Sequence, residues 1–219
     1  LLIPCFAVER SQELLYHLNN LRRSGRIPEL MTFLDSPMAV AVTKVFRDHS
    51  NLFDAETRQQ MLSGQSPFDM PGLKLVRTVE TSKSINAIRG SAIVIAGSGM
   101  CTGGRIKHHL THNIQRPECI ILFVGYQAAG TLGRHILESR SGDELRILGQ
   151  TYPVRASVRQ IHGFSGHADR DEMTGWLRHF QTPPRKIFVT HGEPAAAAAF
   201  RKHLADQTGW DVVAPEWAQ

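Results

Sequence analysis

The chain has 219 residues, 42% hydrophobic and 21% charged, an ordinary globular composition that excludes a disordered, collagen-like or coiled-coil chain. With 25 Lys and Arg against 20 Asp and Glu, the net charge is +5, which permits a nucleic-acid partner without demanding one. No apolar run approaches the roughly 18 residues that span a bilayer, and three cysteines without a CxxC pair argue for a reducing, cytoplasmic setting.

Residues 1–8 are nearly all apolar, as in a strand buried on both faces. They carry neither a basic leader nor an initiator Met, so the chain reads as a fragment with sequence before Leu1. Residues 9–23 have Leu14, Leu15, Leu18 and Leu21 at helical spacing, and Ser24 and Gly25 stop the helix. A short strand follows at 31–34. Asp35, Ser36 and Pro37 start a helix to about His49, expected to bury Met38, Val42, Val45 and Phe46. Residues 54–62 read as a helix, 63–72 as a loop, 73–76 as a strand and 82–89 as a helix. Residues 91–96 form a buried strand that runs into a glycine-rich loop at 97–104. The next helix has Ile106, Leu110 and Ile114 on its core face. A strand at 119–124 and a short helix at 131–138 complete this part.

From Glu144 the pattern changes. Residues 145–148 and 152–161 alternate apolar with polar side chains, the mark of half-exposed antiparallel strands. Helix 169–180, strand 185–190, helix 193–207 and strand 211–213 then restore the earlier rhythm, with a domain junction expected near 150–162. The whole is an α/β fold with a mostly parallel sheet, whose functional loops lie at strand C-termini.

Three such loops hold candidate residues. Loop 97–104 opens a helix, so its backbone N–H groups could cradle a phosphate. Its spacing is neither a dinucleotide fingerprint nor a Walker A, and taken alone the loop is better explained as a tight strand-to-helix turn without a ligand. The helix behind it carries Arg105, Lys107, His108, His109 and His112; the histidines are expected on the solvated face. Loop 162–169 holds Ser165, His167 and Asp169, too close in sequence for a nucleophile–base–orienter triad. Asp169 reads as a helix cap and His167 as an accessible ring. The third loop places His191 at a strand end before Gly192 and the helix starting at Pro194.

The segments LIPCFAVERSQELLYHL, FLDSPMAVAVTKVF, GSGMCTGGRIKHHL, FVGYQAAGTLGR, GFSGHADRDE and THGEP, in this order, resemble the β-CASP group of the metallo-β-lactamase superfamily, zinc-dependent RNA-processing nucleases. The resemblance implies a Rossmann-like β-CASP domain over 1–150, and over 151–219 the C-terminal part of a metallo-β-lactamase αββα fold. It implies hydrolysis of RNA phosphodiester bonds with two zinc ions in the longer parent, and single-stranded RNA as partner. His167 takes the place of a catalytic histidine facing the phosphate. His191 takes that of a zinc ligand. Ser165, Gly99, Arg105 and Arg134 become substrate-binding candidates. The family's other zinc ligands would precede Leu1, in a metallo-β-lactamase half this chain lacks. A zinc site needs about four ligands and the chain offers one, so the fragment alone is expected to be inactive and metal-poor. A homodimer is compatible with this reading. The rivals are a non-catalytic RNA-binding or scaffolding module of the same fold and a nucleotide-binding Rossmann domain; the missing fingerprint argues against the latter.

Overall fold

A computed structural model of the chain describes residues 1–216. The chain divides into two compact units, residues 1–165 and 166–219.

The first unit is a parallel six-stranded sheet between two helical layers. Its strands are β1 (Leu2–Pro4), β2 (Met31–Asp35), β3 (Leu73–Leu75), β4 (Ala92–Ala96), β5 (Ile120–Phe123) and, after a hairpin, β8 (Ser157–Gln160). Their order across the sheet is β3-β2-β4-β1-β5-β8. Successive side chains leave a strand on opposite faces, so the strands feed two separate cores. Leu2, Phe33, Val94, Ala96, Ile121 and Phe123 pack on one face. Ile3, Cys5, Leu34, Ile93, Ile95 and Val124 pack on the other.

Helices α1 (Arg10–Arg23) and α2 (Pro37–Asp48) cover the second of these faces, through Leu14, Leu15, Ala39 and Val40. The helix after β2 starts where expected, but its buried residues are Ala39, Val40 and Thr43. Met38 and Val45, expected in the core, are exposed, while Phe46 is partly buried against it. Small side chains bring the α2 backbone close to α1, where Gln12 Nε2 donates to Thr43 Oγ1 at 2.8 Å. A face chosen by side-chain bulk alone is therefore rotated from the real one. The short helix α3 (Ala55–Leu62) is capped by Asp54, whose carboxylate accepts from Thr57 N at 2.9 Å.

The other layer contains α4 (Val79–Ile85), α5 (Ile106–Asn113) and α6 (Leu132–Glu138). The fourth helix begins three residues before its expected start, because Thr78 caps it by accepting from Thr81 N. Ile106, Leu110 and Ile114 are fully buried, as their spacing predicts. Full burial of each such side chain contributes about 1.5–3 kcal/mol.

The alternating stretch at 152–161 is not one antiparallel strand. Strand β7 (Gln150–Pro153) pairs antiparallel with β6 (Glu144–Ile147), and the chain then turns inward at buried Val154 and Ala156. Strand β8 runs parallel to β5. It alternates because it is the sheet's edge, half open to solvent, and edge exposure mimics an antiparallel pattern.

The second unit is slighter. Strands β9 (Ile187–Phe188) and β10 (Val212–Val213) form a parallel pair, accompanied by α7 (Arg170–Leu177) and α8 (Pro194–Thr208). Among the described residues its buried core is Leu177, Leu204 and Val212, with Ile187, Val189, Phe200 and Trp210 partly buried against them. Among the described residues no helix is long and apolar enough to cross a membrane.

Candidate functional site

Loop 97–104 leaves β4 at the C-terminal edge of the sheet. Much of its polar backbone is satisfied internally. Ser98 N donates to Gly103 O at 3.2 Å, Cys101 N to Ser98 O at 3.1 Å and Ile106 N to Gly97 O at 3.0 Å. Gly103 N donates to Ser98 Oγ at 3.2 Å. Gly104 has φ +74°, and a Cβ there would lie 2.3 Å from Gly97 O. Gly99 meets a different neighbour: a Cβ would lie 2.7 Å from Phe6 Cδ2, so the Phe6 ring rests directly against this glycine.

Beneath the loop lies a polar cluster that the sequence did not reveal. Asp35, the last residue of β2, is fully buried. One carboxylate oxygen accepts from Arg105 Nη1 at 2.6 Å. The other accepts from Ser82 Oγ at 2.5 Å and lies 2.6 Å from His109 Nε2. The far side of that imidazole reaches Asn86 Oδ1 at 3.1 Å. Burial alone would raise the Asp35 pKa, but the hydrogen bonds from His109, Ser82 and Arg105 outweigh it and hold the carboxyl below its ordinary range. His109 is therefore buried at 1% exposure, against the expectation that all three histidines face solvent. His108 and His112 are exposed. Asp35 was expected as part of a helix cap; the cap is Ser36, whose Oγ accepts from Ala39 N at 3.2 Å.

Arg105 also donates to the carbonyls of Val76 and Arg77, so its guanidinium ties β2, β3 and α5 together. Arg134 follows Thr131, the cap of α6. It pairs with Glu138 at 2.5 Å and reaches Gln127 O at 3.3 Å. Gln127 is itself buried, and its Nε2 donates to Gly99 O and Tyr126 O, both at 3.1 Å. It stitches the loop after β4 to the loop after β5. Gly133 makes room for it, since a Cβ there would lie 1.8 Å from Gln127 Oε1.

Phe164, in the GFSGHAD segment, is held in the first unit. His17 meets its ring edge-on at 5.5 Å between centroids, and the Arg10 guanidinium lies 5.5 Å from its centre. Ser165 after it is exposed.

In the second unit Asp169 caps α7 as expected, in a full capping box with Glu172. His167 lies two residues before the cap, and His191 lies between β9 and α8 with φ 64°. Both are exposed. Their rings face one another, 6.1 Å between centroids and 29° between planes. A co-facial, accessible imidazole pair can contact an anion or contribute a metal donor. It is not a complete metal site: no group of three or more His, Cys, Asp or Glu suited to hold an ion occurs among the described residues. The residues present therefore do not fit a self-contained zinc centre.

A parallel sheet with its loops at one edge, and a small unit presenting paired histidines, define an α/β protein with candidate residues concentrated at strand ends. The chain belongs to the β-CASP family of the metallo-β-lactamase superfamily. The Beta-Casp domain family model matches residues 11–136, and the model of the Zn-dependent metallo-hydrolase RNA specificity domain matches residues 151–215. The chain is 44% identical over 204 residues to a Thermus thermophilus protein named Ribonuclease TTHA0252, covering 93% of this chain and 46% of that one. It is 34% identical over 206 residues to the transcription termination factor FttA of Methanocaldococcus jannaschii, covering 91% and 32%. Against the FttA of Methanosarcina mazei it is 32% identical over 200 residues, covering 89% and 31%. The chain thus spans less than half the length of these relatives.

Proposed function

We propose that this chain is the substrate-gripping part of a zinc-dependent ribonuclease that hydrolyses phosphodiester bonds of single-stranded RNA in the cytoplasm. The observation that carries the reading is the co-facial pair His167 and His191 within the match to an RNA specificity domain. The relative named a ribonuclease, similar over almost the whole chain, supports it. His191 is proposed as one donor to a metal site completed by residues outside this sequence, in the metallo-β-lactamase half of the longer parent. His167 is proposed to touch the scissile phosphate, where an imidazole stabilises charge or hands a proton to the leaving oxygen. Ser165, Gly99, Arg105 and Arg134 are proposed substrate contacts. Of these, Arg105 acts as a fixed charge, because Asp35 holds it in place. A homodimer and the division at 150/151 belong to the same proposal.

A second reading, a non-catalytic RNA-binding module, draws on the relatives named transcription termination factor, a name that does not mention cleavage.

The test compares His191→Ala and His167→Ala in the longer parent by metal content, RNA affinity and single-turnover cleavage. His191→Ala should lose zinc and activity together. His167→Ala should keep its zinc and its RNA affinity while cleavage falls on the order of 10²-fold. Wild-type cleavage by His167→Ala, or parallel zinc loss in both, refutes these roles. An intact parent that binds RNA without cutting it establishes the second reading.

A further inference from the structure

We propose that Phe6 and Tyr126 form a base-stacking platform at the C-terminal edge of the six-stranded sheet, gripping successive nucleobases of single-stranded RNA; the proposal rests on the RNA reading above and locates a contact for the bases.

Phe6 follows β1 and is 46% exposed; Tyr126 follows β5 and is 56% exposed. These strands are neighbours, with Leu2 in register with Ile121. Adjacent strands lie about 4.8 Å apart, so rings on neighbouring strand ends are within reach of consecutive bases. Ile161, just after the neighbouring β8, and Met38, in the first turn of the helix that follows β2, are further exposed apolar side chains near this edge, at 42% and 64%. An aromatic and apolar row along the ligand-binding edge of a parallel sheet is matched by flat, weakly hydrated partners, and nucleobases are flat on both faces.

The platform is braced from below. The missing Cβ of Gly99 lets the Phe6 ring lie against the loop backbone, and Gln127 fixes both Gly99 O and Tyr126 O. The Phe6 ring, backed by Gly99 and 46% exposed, loses little freedom when a base stacks on it. The charge is suitable as well. Exposed Arg77 follows β3, His162 follows β8, and the chain carries a net +5, so a phosphate backbone alongside the stacked bases is attracted. This assigns Gly99 a definite part: it supports the ring that meets the base.

The test uses the 219-residue chain and fluorescence anisotropy at fixed salt, with two probes. One is a short single-stranded oligoadenylate; the other is an abasic oligoribonucleotide of the same length. Wild type should bind oligoadenylate more tightly. Phe6→Leu and Tyr126→Leu should each weaken oligoadenylate about tenfold, leaving the abasic probe unchanged. Phe6→Tyr keeps a ring and should restore binding. Should Phe6→Leu fail to fold, Tyr126→Leu and Phe6→Tyr carry the same comparison. Leu variants that bind oligoadenylate like wild type, or that weaken both probes equally, overturn the platform and leave the RNA reading standing. A wild type that binds neither probe refutes the RNA reading, and the platform with it.

Discussion

The imidazole of His109 lies 2.6 Å from the carboxylate of Asp35, a residue 74 positions earlier in the chain, and both side chains are essentially sealed from solvent. The bond joins the end of β2 to the helix behind the glycine-rich loop, so the loop inherits its position from a buried charge.

That charge makes the first unit sensitive to acid. The Asp35 pKa is held below its unfolded value, so the unfolded chain takes up the proton first as pH falls. The stabilisation is fully present above the unfolded value, about pH 4, and is lost as pH falls through the lower folded value. Asp35→Ala strands Arg105 and should cost about 3–5 kcal/mol at neutral pH. Denaturant titrations of wild type and variant across pH 2–7 check both points; the difference should shrink toward the acid end.

The thiols should divide by burial. Burial pushes Cys5 and Cys101 up to about 12 each, an effect that the Ser11 hydrogen bond moderates at Cys5. Cys119 is only partly buried. Alkylation at pH 8 should therefore modify Cys119 alone in the native protein and all three after denaturation. Peptide mapping gives the sites directly, and early labelling of Cys101 would contradict the packing beneath the loop.

Two glycines should be intolerant and one tolerant. Gly104→Ala meets the Gly97 carbonyl at 2.3 Å in a left-handed conformation, and Gly133→Ala meets the buried Gln127 amide at 1.8 Å. Each should cost about 2–4 kcal/mol. Gly125→Ala has nothing within 4 Å and should stay within about 0.5 kcal/mol of wild type. Thermal melts of the three variants provide the comparison.

Hydrogen exchange should separate the units. Val94 N, bonded to Leu1 O at 2.9 Å, sits among buried central strands and should exchange only on cooperative unfolding. Val189 N, bonded to Val213 O at 2.8 Å, belongs to a two-stranded pair over a core that is small among the described residues, and should exchange far sooner. Equal protection at the two amides would contradict the difference in core size.

The fold was legible wherever hydrophobic period and turn chemistry agreed. Ile106, Leu110 and Ile114 repeat at helical spacing and are all buried; Asp169 precedes its helix and caps it. Legibility failed where the signal is relational. Nothing around His109 in sequence announces Asp35, because their pairing arises only when β2 and α5 meet across the sheet. The bulky residues of α2 point to the wrong face, because Ala39 and Thr43 are buried for their small size. The candidate loops could be read as strand ends carrying His167 and His191, but the approach of the two rings to 6.1 Å depends on two segments meeting in space.

Gln127 has a consequence for anyone who recombines these proteins. Its amide reads the carbonyls of two loops at once and occupies the space that Gly133 leaves open. Residues 97–104 are therefore not a portable module: a graft that brings the loop without Gln127 and Gly133 would deliver the letters without their grammar. Chimeras should exchange 97–133 as one block, and breakpoints between the two loops should be the ones that selection discards.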